Sequence, residues 1–198
     1  MKHTILKPED YRNMPWKNGL GTTCEILREP ADDSQPFDWR ISVADIKENG
    51  PFSIFSGYTR IINTLEGSGM RLMVDGVDSG DLKQYDPFVF SGDSQVESEL
   101  IDGTIRDFNL IYRASVCKGR LQWLNVSGPR AFCSQADHII IYAVKGIKVA
   151  AADFTAQLND NHTLRVDNDE AALTAFRLTP ARGDGDRFCC LIELSAGC

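Results

Sequence analysis

Period-two alternation dominates the chain. In WRISVADI, residues 39–46, Trp39, Ile41 and Val43 point to one face and Arg40, Ser42 and Ala44 to the other. PFVF, QVESELI, RDFNLIYR, LQWLNV, HIIIYAV, IKVAAA, HTLRVD, LTAFRLT and RFCCLIEL read as further short strands. Turn residues separate them at roughly 8–12-residue intervals, the spacing of a sandwich or barrel. RIINTLEG and GMRLMVDG flank Gly67-Ser68-Gly69, which predicts a hairpin. Helical periods are too short to count, apart from LKPEDYRNM, which supports a single turn with Pro8 near its start.

The strand pattern recurs. NTLEGSGMRLMVDG followed by RDFNLIYR resembles YAVKGIKVAAAD followed by DRFCCLIEL. Gly67 matches Gly146 and Phe108 matches Phe188, so two similar β units are expected on one chain. The repeat is also an internal control: where the first copy carries Asp107 and Asn109, the second carries Arg187 and Cys189. The architecture therefore does not demand an amide at that strand position. Asn109 either receives a ligand or ties down a neighbouring loop.

Composition adds boundaries. The 198 residues are 42% hydrophobic and 25% charged, which suits a globular chain with a sizeable core. A net charge of −7 repels phosphate backbones and argues against general nucleic-acid binding. No apolar run approaches the ~18 residues of a membrane helix, and the N-terminus MKHTILKPEDY lacks a signal-peptide core, so a cytoplasmic protein without a membrane partner is expected. The six cysteines have no CxxC spacing and read as free thiols. Exposed edge strands leave pairing into a homodimer open.

Metal-binding patterns are weak. The three histidines, His3, His138 and His162, are far apart in sequence, and no two could share one strand face as neighbouring ligands. No metal site and no cofactor are expected. Arginines are more informative, because a guanidinium inside a β unit needs an ion-pair partner or an anion. Arg40 lies in mid-strand, Arg60 opens an apolar strand, and Arg113 falls on the face of Asp107, Asn109 and Ile111 by period-two counting. Salt bridges to Asp107, Glu25 or Glu66, simple surface exposure, and a clamp on a carboxylate are all open readings. NGPFSIFSGYTR, residues 49–60, builds turns with its glycines and Pro51, and its aromatics can wall a pocket or cap a core. MPWKNGLGTTCEI, residues 14–26, concentrates Trp16, Lys17, Asn18 and two flanking glycines before an apolar strand. Glycines would let the chain turn sharply there, while Trp16, Lys17 and Asn18 offer a flat wall, a cation and an amide to a planar anion.

PWKNGLGTTCEI, FDWRISVADI, NGPFSIFSGYTRIINTLEG, PFVFSGD and RDFNLIYR, in this order between Pro15 and Arg113, together resemble the HutD/Ves family. The resemblance implies an all-β fold, a cupin-type double-stranded β-barrel with two cupin-like units (a bicupin). The units fall at residues 1–113, with the motifs, and 114–198. It also implies a bacterial protein tied to histidine utilisation or a stress response, and a metal-free pocket for a small carboxylate. The matched ligand-binding positions are Trp16, Lys17, Asn18, Glu25, Arg40, Arg60, Asn109 and Arg113. Gly19, Gly21, Trp39 and Phe108 complete the motif. Thr23-Cys24-Glu25 departs from the family's usual arginine before the glutamate, and GLG replaces its triple glycine. Two functions are expected to compete: a carboxylate-binding sensor or modulator of catabolism, and a metal-independent isomerase or hydrolase with Glu25 or Asp107 as general base.

Overall fold

The computed structural model describes residues 1–16, 21–32, 34–181 and 185–197. Its regular elements are strands, apart from a 3-10 turn at Pro8–Asp10. In chain order they are β1 (Lys2–Leu6), β2 (Arg12–Pro15), β3 (Gly21–Glu29), β4 (Trp39–Ile46), β5 (Gly50–Pro51), β6 (Tyr58–Glu66), β7 (Met70–Val74), β8 (Val77–Leu82), β9 (Phe88–Ser91) and β10 (Val96–Leu100). They continue with β11 (Ile105–Arg113), β12 (Cys117–Asn125), β13 (Arg130–Ser134), β14 (His138–Ala143), β15 (Ile147–Ala150), β16 (Thr155–Leu158), β17 (Thr163–Asp167), β18 (Thr174–Pro180) and β19 (Phe188–Ala196). No helix among the described residues is long and apolar enough to cross a membrane.

The chain divides into two compact units. One contains residues 11–117 with 197, the other 1–10 with 118–196. The sequence-based division at 113/114 therefore compares with 117/118 here. Residues 1–10 group with the C-terminal unit because β1 pairs antiparallel with β17, from Lys2 opposite Asp167 to Leu6 opposite Thr163.

In the N-terminal unit a six-stranded sheet, β2-β3-β4-β11-β6-β9, accompanies a four-stranded sheet, β5-β10-β7-β8. In the C-terminal unit the sheets are β1-β17-β14-β19-β12 and β13-β18-β15-β16. The order β4-β11-β6-β9 with β5-β10-β7-β8 reappears as β12-β19-β14-β17 with β13-β18-β15-β16. The recurrence read from glycine and phenylalanine positions thus coincides with a recurrence of strand order.

The hairpin expected at Gly67-Ser68-Gly69 does not form. Both edges of β6 are occupied, by β11 and β9, so β7 pairs instead with β10 and β8 in the other sheet. The turn carries the chain between sheets, and Gly67 (φ 99°) and Gly69 (φ 121°) adopt the left-handed backbone this requires. Each unit has its own apolar core between its sheets. Ile46, Ile62 and Ile105 meet Met70, Leu72, Leu82 and Val96 in the first. In the second, Ile139, Ile141, Leu164, Val166 and Leu191 meet Val149, Leu158, Phe176 and Leu178. Each such side chain contributes about 1.5–3 kcal/mol by leaving water.

Candidate functional site

The register of the six-stranded sheet sets the site. Residues directly opposite each other in antiparallel strands share a face, so side chains line up in rows. One row reads Arg40, Ile111, Arg60 and Phe90 across β4, β11, β6 and β9. The next reads Glu25, Ser42, Asn109 and Ile62, and the third Thr23, Ala44, Asp107 and Thr64. At the core end the face carries Ile46 and Ile105. Ser42 and Ala44 are small, so space opens beside the longer side chains. The result is a cleft of about 520 Å³. Arg40, Ser42, Ala44, Arg60, Asp107 and Asn109 form its floor, and Trp16, Phe52, Ser53 and Phe55 belong to its walls.

Arg60 is only 6% exposed. Its Nη2 donates to Asn109 Oδ1 at 3.0 Å and its Nη1 to the Ser53 carbonyl at 3.3 Å. Its Nε has no hydrogen-bond partner, and neither has that of Arg40. Aromatic rings surround both cations. Arg60 Cζ lies 5.0 Å from the ring centres of Phe52 and Phe90 and 5.5 Å from that of Phe55. Arg40 Cζ lies 4.9 Å from Phe37 and 5.2 Å from Phe55. The ring faces supply cation–π attraction but accept no strong hydrogen bond, so the orphaned N–H groups keep their full desolvation cost. Burial holds both arginines below their ordinary pKa, Arg60 at about 10. The Asp107 charge partly offsets this at Arg60, and the Glu25 charge at Arg40.

Asp107 is buried at the centre of the cleft floor. Its Oδ1 accepts the Ala44 N–H at 3.0 Å, and the Asn109 amide also hydrogen-bonds its carboxyl. Asn109 therefore has fixed polarity: its oxygen faces Arg60 and its nitrogen Asp107. Burial pushes the Asp107 carboxyl up to about 6, against the pull of these hydrogen bonds and of Arg60.

Trp16 stands on the wall with its Nε1 donating to Thr23 Oγ1 at 2.8 Å. Gly21 serves close packing rather than a turn. It begins β3, and a Cβ there would stand 2.6 Å from the Asp45 carbonyl and 2.9 Å from the Trp16 ring. The Trp16 N–H donates to the Gly21 carbonyl at 2.9 Å and closes the loop. Lys17 and Asn18 lie outside the described residues. Arg40, Arg60, Asn109 and Trp16 come together at the cleft. Glu25 is 7% exposed and stands opposite Ser42, but does not line the cleft.

Arg113 stands apart. Its Nη2 donates to the Tyr58 hydroxyl at 3.0 Å and to the Phe37 carbonyl at 3.4 Å, and its Nη1 lies 3.6 Å from Asp38. At the end of β11 these partners turn it away from the row its alternation suggested. Sequence reasoning missed Ser42 and Ala44 as cleft floor, although alternation had already placed them beside Arg40. Small residues next to a mid-strand arginine were the available signal. Met14, Pro15 and Thr23 carried none. Among the described residues, no three His, Cys, Asp or Glu side chains gather to hold a metal ion. Cys24, Cys117, Cys133, Cys189 and Cys190 are free thiols.

This all-β architecture is cupin-like. The Cupin 2 conserved barrel domain protein of Leptotrichia buccalis superposes with a TM-score of 0.56, covering 87% of this chain and 88% of its own, at 8% identity, a likeness of fold alone. The chain belongs to the HutD family, which matches residues 8–182. HutD from Pseudomonas fluorescens SBW25 superposes over 100% of both chains with a TM-score of 0.84 and 40% identity. An uncharacterized 21.2 kDa protein in the hutC 3' region of Pseudomonas putida is 49% identical over 70% of this chain and 72% of its own length. Protein Ves of Citrobacter koseri is 34% identical over 86% of this chain and 92% of its own.

Proposed function

We propose that the cleft of the N-terminal unit binds a small carboxylate and that the protein acts as a metal-free sensor or modulator of catabolism in the cytoplasm. The observation that carries this reading is the pair of guanidinium groups of the half-buried Arg40 and the buried Arg60, whose Nε–H groups lack partners on the floor of an open cleft. A carboxylate would supply the missing acceptors, and the planar fork of arginine suits its two oxygens. Asn109 holds Arg60 in place, and Trp16 and Phe55 offer apolar walls to the rest of the ligand. The naming of relatives after hutC and HutD supports a link to histidine utilisation. The recurring eight-strand order supports two cupin-type rolls, a bicupin arrangement, with the ligand site in one of them. A second reading, a metal-independent enzyme acting on a small organic acid, draws on Asp107, a buried carboxyl in the same cleft.

A thermal-shift panel of formate, L-glutamate, N-formyl-L-glutamate, urocanate and sugar acids tests the reading. A ligand at 100 times its dissociation constant stabilises the fold by ~2.7 kcal/mol. The shift should disappear in Arg60→Ala and in Arg60→Met, which keeps the side-chain volume. A full shift in both variants, or none in the wild type, overturns the proposal.

A further inference from the structure

The cleft holds one carboxyl that salt bridging does not explain. Asp107 is 2% exposed, yet no guanidinium donates to it directly, because Asn109 stands between it and Arg60. The relay runs Arg60 Nη2 to Asn109 Oδ1, Asn109 amide to the Asp107 carboxyl, and Ala44 N–H to Asp107 Oδ1. Around Asp107 the charged groups are Arg40 and Asp45 on β4, Arg60 on β6, Glu25 on β3 and Arg106 beside it on β11. Arg106 is engaged with Asp45 at 2.7 Å and with Glu66 at 3.4 Å. The two cleft cations are therefore matched by two buried carboxylates, Asp107 and Glu25, before any ligand arrives.

A bound anion would add a further negative charge beside the buried Asp107. Arginine cannot answer by titrating, and Glu25 does not line the cleft. We propose that Asp107 is the proton-exchanging group of the cleft: when a carboxylate settles against Arg40 and Arg60, the Asp107 carboxylate takes up one proton from solvent. The inference rests on the carboxylate-binding reading above. The step conserves charge and atoms: one anion and one proton enter, and Asp107 changes from carboxylate to carboxylic acid. Protonation also converts a group that only accepts into one with an O–H to donate. Its starting point is favourable, since burial already holds this carboxyl at about 6. Binding is then tighter in acid. Affinity rises as pH falls through the range between the bound and free values, and levels off once the free protein already carries the proton.

Sodium formate is the probe, because it stays ionised throughout and has no other titrating group. Its affinity is measured at constant ionic strength from about pH 8 to about pH 5, together with the 13C-carboxyl titration of labelled aspartate. If formate raises the Asp107 midpoint by one pH unit, affinity increases about tenfold across this range. The expected result is that increase in the wild type, a flat profile in Asp107→Asn, and a higher Asp107 midpoint with formate present. Formate that binds equally at both ends of the range, with the midpoint unmoved, overturns the inference and leaves the binding reading intact. If no member of the panel binds, both fall. Should Asp107→Asn fail to fold, the 13C titration of the wild-type protein decides alone.

Discussion

The two units share a strand order but not an interior. In the N-terminal unit the face of β11 presents Asp107, Asn109 and Ile111 to a cleft. At the matching positions stand Arg187, just before β19, and Cys189 and Leu191 within it, and the last two are sealed in the core. The strand beside them differs in the same way. Opposite Ile111 stands Arg60, whereas opposite Leu191 stands Ile141, fully buried. At these positions one unit is filled with apolar side chains, while the other keeps polar and charged groups beside a cleft. Buried charges without direct partners are costly, and a fold retains them where they serve a site. In the second unit the same strand order packs the matching face with apolar side chains.

Exchanging residues between the units tests that contrast. The largest effect is expected from Ile141→Arg, which places in the filled unit the group its counterpart tolerates. No aromatic cage or relay awaits it, so the loss should be about 3–5 kcal/mol or complete unfolding, read from the urea midpoint. An unchanged midpoint would mean that the second interior opens as readily as the first.

Asp107→Asn should act in the opposite direction. The folded-state pKa of Asp107, about 6, lies above its ordinary 3.8. The wild type therefore loses stability as pH rises from about 4 through 6, while the asparagine variant does not. The variant should be more stable on the order of 2 kcal/mol near pH 8 and about equal to the wild type near pH 4. Parallel pH–stability curves would show that the carboxyl is not strained by burial.

Asn109→Cys, copying the second unit, should have the smallest effect. It removes an acceptor from Arg60 and a donor from Asp107 and should cost about 1–2 kcal/mol in urea denaturation. Its effect on ligand affinity should be larger than its effect on stability, since Arg60 loses its anchor. Equal losses in both would reduce Asn109 to a structural tie.

Much of this contrast was legible in the chain. Alternation in WRISVADI and RDFNLIYR placed Arg40, Ser42, Ala44, Asp107 and Asn109 correctly, because these strands are central and one face of each is apolar. The repeat singled out Asn109 by its replacement with Cys189. The short outer strands were not legible. KHTIL and RNMP have few apolar residues and no clean alternation, and only pairing with β17 and β3 makes them strands. Sheet membership was hidden too. The Gly67–Gly69 turn reads locally as a hairpin, and only the occupied edges of β6 exclude one. Arg113 follows the alternation of its strand, yet Tyr58, Phe37 and Asp38 draw it away, and nothing local announces them.

The pairing of β1 with β17 has a consequence for biosynthesis. Residues 2–6 find their partner only at residues 163–167. At roughly 5–20 residues per second, β1 leaves the ribosome some ten to thirty seconds before β17 exists. Before it ends, residues 11–117 can gather their own sheets while the first strand waits with its backbone unpaired. A chain cut after residue 117 would strand β1 permanently and leave it open to foreign β edges.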